Sequence, residues 1–151
     1  ELHPGFKKIL EEHYNPIITR IRAIEKPMIA AVNGVAAGAG ANIALACDIV
    51  VASEKASFIQ AFSKIGLVPD SAGSFFLPRL IGFQKASALM LLGDKVSAAQ
   101  AQDLGMIYKV FPPETFHQEV HSLALHMAQL PTKALGLTKK LLNASFNKLS
   151  S

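Results

Sequence analysis

Residues 28–42 have the sequence MIAAVNGVAAGAGAN, and they are the strongest single indication of the fold. The first five residues are apolar and have the length of a buried strand. Asn33 and Gly34 form a turn pair. The small residues from Gly38 onward suit a helix that packs closely on a sheet. We therefore predict a strand over 28–32, a tight turn and a helix over 38–47.

The same alternation continues on both sides of this stretch and predicts an α/β fold in one domain, residues 1–151. An amphipathic helix is expected over 5–24, bent at Pro16. Ser97 and Gln100 have the spacing of a capping box, and Gly105 suits the end of that helix. The other expected elements are strands at 48–52, 57–59 and 107–111, a loop at 65–70, and helices at 71–81, 83–92, 98–104, 114–130 and 132–148.

Composition narrows the classes of protein. No apolar run approaches the roughly 20 residues that cross a bilayer, so no membrane partner is expected. The net charge of +4 is spread along the chain, which does not favour nucleic-acid binding. Most lysines are expected to lie on solvated helix faces, and Cys47 is expected to be an inert thiol. The first residues show no secretory signal, so we expect a cytoplasmic protein, with an organellar matrix as the alternative.

The glycine-rich turn at residues 33–42 has a chemical implication. Backbone N–H groups at a helix start can bind a phosphate or an oxyanion, and glycine lets a ligand approach the main chain. The alternative is that the small residues only allow tight helix–sheet packing. Gly40 is not followed by Lys-Ser/Thr, and Ile43 replaces the third glycine of a dinucleotide fingerprint, so neither nucleotide loop is present. No hydrolase elbow or zinc spacing occurs.

Several strings resemble the crotonase (enoyl-CoA hydratase/isomerase) superfamily, and within it the isomerase branch that includes enzymes of phenylacetate breakdown. The likeness covers nearly the whole chain. The matching strings are residues 26–40, Cys47-Asp48-Ile49, residues 61–70, Leu77-Pro78-Arg79, Gly93-Asp94 and Gly105-Met106-Ile107.

The resemblance implies a crotonase (ClpP/crotonase-like) fold of repeated ββα units with additional C-terminal helices. Relatives are longer, so the domain is expected to be truncated at both ends, without the N-terminal part that supplies a second oxyanion donor. By position, the Ala39 N–H would bind the oxygen of an acyl-CoA thioester, and Gly38 and Gly40 would shape the turn. Coenzyme A would be part of the substrate, with no separate cofactor or metal. The expected assembly is a homotrimer or hexamer.

The resemblance also indicates the reaction. Hydratases of the family use two glutamates, and Asn42 and Phe62 stand at those positions. Neither side chain moves a proton at neutral pH. Isomerases have a carboxylate slightly later, where Asp70 stands, and Phe62 becomes a candidate for the substrate pocket. We therefore expect isomerisation of an enoyl-CoA or ring-epoxide aryl-CoA thioester, in fatty acid or phenylacetate catabolism. The alternatives are an enoyl-CoA hydratase and a non-catalytic acyl-CoA-binding subunit.

Two aspartates have structural interpretations. Asp70 precedes Ser71 and a predicted helix, so it could simply cap that helix. The family likeness favours the acid/base role for Asp70. Asp48 lies between a helix and a strand, where a hydrogen-bonded structural role is expected.

Overall fold

The computed structural model describes the backbone of residues 16–60 and 71–148, and the side chains of residues 16–60 and 73–146. In chain order the elements are α1 (Pro16–Ala23), β1 (Ile29–Val32), β2 (Val35–Ala37), α2 (Ala39–Ala46), β3 (Ile49–Ser53), β4 (Ser57–Ile59), α3 (Ser71–Ile81), α4 (Phe83–Leu92), β5 (Lys95–Ser97), α5 (Ala98–Asp103), β6 (Lys109–Phe111), a 3₁₀ turn (Pro113–Thr115), α6 (Phe116–Ala128) and α7 (Thr132–Lys148).

The strands form two small sheets. In the first, β3 lies between β1 and β6, and all three are parallel. In the second, β4 lies between β2, which is parallel to it, and β5, which is antiparallel. The middle strand β3 reads Ile-Val-Val-Ala-Ser, and Val51 is completely buried. A continuous apolar run is typical of a parallel strand covered on both faces.

Most predicted elements are confirmed. The helices at 71–81 and 83–92 begin and end where the sequence predicted, and the strand at 57–59 is present. The capping box of α5 forms, with Ser97 accepting from the Gln100 N–H and the Gln100 side chain accepting from the Ser97 N–H. Gly105 has a φ of +79°, as a glycine after a helix end should. The described part of the helix expected over 5–24 begins at Pro16, and the helix ends at Ala23.

Two three-residue strands were missed. The sequence predicted that the chain would pass from the first strand through a turn directly into a helix, but β2 lies between them. Strand β5 also precedes the α5 capping box. Segments this short have little signal of their own, and both are strands because β4 supplies hydrogen-bond partners.

Small side chains form a large part of the apolar core. Ala52, Ala98 and Ala101 are fully buried beside Leu77, which allows helices and sheets to approach closely. A second cluster places Phe75 and Phe76 of α3 edge-to-face against Phe146 of α7. These two phenylalanines of α3 are therefore core residues.

A buried charge cluster joins α1 to α7. Asp48 accepts hydrogen bonds from Arg22 at 2.8 Å, from Lys139 at 2.9 Å and from the Met28 N–H at 2.8 Å. Arg22 also donates to Asn143 Oδ1 at 3.0 Å. The structural role expected for Asp48 is confirmed. Lys139 is an exception to the expectation that most lysines are solvated: it is 4% exposed and also donates to two backbone carbonyls.

Candidate active site

The glycine-rich turn is built by the pairing of β2 with β4. The two strands are parallel and in register up to Ala37 and Ile59. The Gly38 N–H then donates to the Ile59 carbonyl at 2.8 Å. Gly38 has φ 54° and ψ −119°, a conformation that L-amino acids with a side chain rarely adopt. The chain therefore turns sharply at Gly38 and enters α2 at Ala39.

The start of α2 presents free backbone donors. The first N–H groups of a helix have no partner within it, and here the first internal bond is from the Asn42 N–H to the Gly38 carbonyl at 3.1 Å. Ala39 and Gly40 are exposed, and no described atom lies within 4 Å of a Cβ built on Gly40. Residues 33–46 contain no ionisable side chain, so the positive potential at the turn comes from the peptide dipoles. This arrangement suits an oxygen that carries negative charge.

A buried amide pair lies one turn further along α2. Asn42 is 1% exposed, and its Oδ1 accepts a hydrogen bond from Gln60 Nε2 at 2.9 Å. On its other side the end of the Asn42 amide lies against Gly73 of α3. A Cβ built on Gly73 would lie 2.8 Å from Asn42 Nδ2 and 2.9 Å from Oδ1. Asn42 thus contacts Gln60 and Gly73, which lie on opposite sides of the segment 61–70 in the sequence.

The structure describes some of the predicted site residues and not others. The structure brings Gly38, Ala39 and Gly40 together at one helix start, as the sequence predicted. Asp70 and Phe62 lie outside the described residues. The sequence did not identify Gln60 as a site residue. Its position at the end of a predicted strand, two residues before Phe62, was the only available signal.

Within the described parts of the chain, no group of three or more His, Cys, Asp or Glu residues is arranged to hold a metal ion. A search of the same parts finds no helix with the length and apolar character that a membrane span requires.

Comparison with known proteins defines the family. The family model for enoyl-CoA hydratase/isomerase matches residues 1–150. The chain is 47% identical over 142 residues to 1,2-epoxyphenylacetyl-CoA isomerase of Escherichia coli (strain K12), covering 94% of this chain and 54% of that protein. It is 40% identical over 143 residues to a probable enoyl-CoA hydratase of Rhodobacter capsulatus, covering 95% of this chain and 56% of the relative.

Comparison with a solved structure supports the same family. The enoyl-CoA hydratase from Mycobacterium avium subsp. paratuberculosis K-10 superposes with a TM-score of 0.87 at 38% identity, over 95% of this chain and 58% of that one. The chain belongs to the enoyl-CoA hydratase/isomerase family, and the crotonase fold is confirmed. It spans about half the length of the curated relatives it matches.

Proposed function

We propose that this chain contributes the catalytic centre of an enzyme that isomerises an enoyl-CoA or ring-epoxide aryl-CoA thioester. The thioester oxygen accepts a hydrogen bond from the Ala39 N–H. With an enoyl-CoA, a carboxylate then removes a proton from the carbon α or γ to the carbonyl, which leaves an enolate. The same carboxylic acid returns the proton at another position of the conjugated system. The product has the composition of the substrate, so no water or redox cofactor is consumed.

The observation that supports this most directly is the start of α2. Ala39 is exposed at a helix start, and residues 33–46 carry no ionisable side chain that could compete for the ligand. The positive φ of Gly38 fixes the direction of the Ala39 amide before any ligand arrives. Donors that are oriented in advance stabilise a developing oxyanion by about 3–4 kcal/mol each, because they need not reorganise during the reaction.

Asp70 is our candidate for the carboxylate. It precedes Gly73 by three residues, and three residues of chain span at most about 11 Å. Gly73 contacts Asn42, which belongs to the same helix start as Ala39. The covalent tether therefore keeps Asp70 within that distance of a residue that contacts the start of α2. A single carboxylate is sufficient for a proton shift.

The Asn42 side chain supports isomerisation over hydration. Adding water to a double bond requires a base that activates the water and an acid that returns a proton. Asn42 is a carboxamide whose oxygen is already occupied by Gln60. Phe62 has no ionisable group, and we assign it to the pocket wall. A carboxylate pair at these positions is therefore missing.

The substrate class is proposed from the relatives. One relative is named for an epoxyphenylacetyl-CoA substrate and another as a probable enoyl-CoA hydratase. Both names specify a coenzyme A thioester as the substrate. This agrees with the proposal that the Ala39 N–H binds a thioester oxygen. We accordingly place the reaction in fatty acid or phenylacetate catabolism, with coenzyme A as the handle of the substrate.

An assay of the purified protein distinguishes three functions. Conversion of a 3-enoyl-CoA to the conjugated 2-enoyl-CoA, without hydroxyacyl-CoA, is the expected result. Hydroxyacyl-CoA formed from a 2-enoyl-CoA would instead establish a hydratase, as the names of several relatives suggest. Saturable acyl-CoA binding without either product would establish a non-catalytic binding subunit.

A further inference from the structure

We propose that Gln60 is a positioning residue. Its side-chain amide holds the Asn42 amide against Gly73, and this contact fixes the start of α3 relative to the turn at Gly38. The inference rests on the proposed function, because α3 follows Asp70 in the sequence. Gln60 is not among the site residues that the sequence predicts.

The contacts form a continuous path between the two helix starts. The Asn42 backbone is tied to the turn through its N–H bond to the Gly38 carbonyl at 3.1 Å. The Asn42 side chain leaves the same residue and lies against Gly73. Gln60 fixes the orientation of that side chain through its 2.9 Å hydrogen bond to Oδ1. A rotation of the Asn42 amide would therefore change the contact between α2 and α3.

The contact between the Asn42 amide and α3 requires a glycine at position 73. A Cβ there would lie within 3.0 Å of two atoms of the Asn42 amide, closer than real Cβ contacts. The glycine lets α3 approach the end of the Asn42 amide without a clash. A side chain at this position would push α3 and α2 apart or displace the amide.

Burying a glutamine at position 60 reduces the stability of the fold, which indicates that Gln60 has another role. Gln60 is 6% exposed, and no described atom hydrogen bonds to its Oε1. A buried acceptor without a partner costs about 1–3 kcal/mol, which an apolar side chain would avoid. Buried groups that break this rule are concentrated at functional sites. The benefit that offsets this cost is the orientation of Asn42.

Gln60→Met tests the proposal, because methionine has a similar shape and lacks the N–H donor. Ser57→Ala is the matched control. Ser57 is the first residue of β4, the strand that ends just before Gln60; it is 3% exposed, and its hydroxyl has no described partner. Hydrogen exchange of the residue 75–77 amides, which lie in the second turn of α3, reports its anchoring without reference to activity.

We expect exchange at residues 75–77 to be about tenfold faster in Gln60→Met and unchanged in Ser57→Ala. With a 3-enoyl-CoA, we expect kcat to fall about 10- to 100-fold while KM stays within about twofold, since displacement of a catalytic group affects the reacting geometry more than binding. Equal exchange in the two variants would overturn the proposal whatever the activity. Faster exchange with unchanged kcat would overturn the catalytic part of it.

A double variant covers the case in which Gln60→Met does not fold. Gln60→Met/Asn42→Leu removes both members of the hydrogen bond, which leaves no orphaned amide and should restore folding. If the residues act through each other, kcat of the double variant will equal that of Asn42→Leu alone; independent, additive losses would overturn the proposal. If the wild-type protein itself shows no isomerisation, the proposed function fails, while hydrogen exchange still decides the structural role of Gln60.

Discussion

The Gly38 N–H donates to the Ile59 carbonyl at 2.8 Å, and this bond closes the ladder between β2 and β4 just before the chain turns into α2. The bond has a mechanistic consequence. It consumes the Gly38 donor, so the next amide along the chain, that of Ala39, is the first one available to a ligand. The direction of that amide is set by the backbone of Gly38.

Replacing Gly38 by alanine should destabilise the protein by about 1–3 kcal/mol, because a side chain at φ 54° and ψ −119° is strained. Urea denaturation measures this loss. Gly40→Ala is the control, since no described atom meets a Cβ there and alanine is the better helix former. We expect Gly40→Ala to be neutral or stabilising. Equal destabilisation by the two substitutions would contradict this account of the turn.

Asp48→Asn should lower the free energy of unfolding by about 3–5 kcal/mol, because Arg22 and Lys139 would remain buried without their carboxylate. Chemical denaturation monitored by circular dichroism provides the value. The matched control is Glu25→Gln, which removes the carboxylate from the solvent-exposed pair with Lys140. Exposed pairs contribute little, so the control should be close to wild type. A small loss for Asp48→Asn would show that the cluster is not a structural clamp.

Cys47 should react slowly with iodoacetamide in the folded protein. Burial raises the pKa of the Cys47 thiol above its usual 9.0, and the Asp48 carboxylate adds to the increase. The neutral thiol is therefore favoured by folding: this contribution to stability is complete below pH 9.0 and is lost as the pH rises through the folded-state pKa. Alkylation rates measured from pH 7 to pH 10, with and without urea, test this. Native rates equal to those in urea would contradict it.

Gly73→Ala should destabilise the protein by about 1–3 kcal/mol, since the new methyl group must displace the buried Asn42 amide. Asn42→Ala removes the amide and creates the space. The double variant Asn42→Ala/Gly73→Ala should therefore be more stable than the sum of the two single effects predicts. Thermal and urea denaturation of the three variants complete the cycle. Strict additivity would show that Asn42 and Gly73 are not in contact.

The sequence predicted an element well when the pattern of residues that indicates it was long. The helices α3 and α4 were placed correctly because their apolar periodicity and the glycines that flank α4 lie within one window. Strands β2 and β5 were missed because three residues form a strand only when a distant partner, here β4, supplies hydrogen bonds.

For a similar reason, the sequence predicted only part of the candidate site. The turn at Gly38 is local, and its conformation requires glycine, so the sequence shows it directly. The contact of Gln60 with Asn42 and the burial of Lys139 beside Asp48 join residues that are far apart in sequence. A lysine on a helix is usually solvated, and nothing near Lys139 in the sequence reveals its buried partner.

The central claim is that one carboxylate, Asp70, moves the proton while the Ala39 amide holds the thioester oxygen. Asp70→Asn keeps the size of the side chain and its ability to cap α3 but removes the base. The decisive measurement is kcat for conversion of a 3-enoyl-CoA to the 2-enoyl-CoA by the purified variant. The account predicts a loss of at least about 100-fold with a folded protein and retained acyl-CoA binding. Isomerisation at the wild-type rate would contradict it.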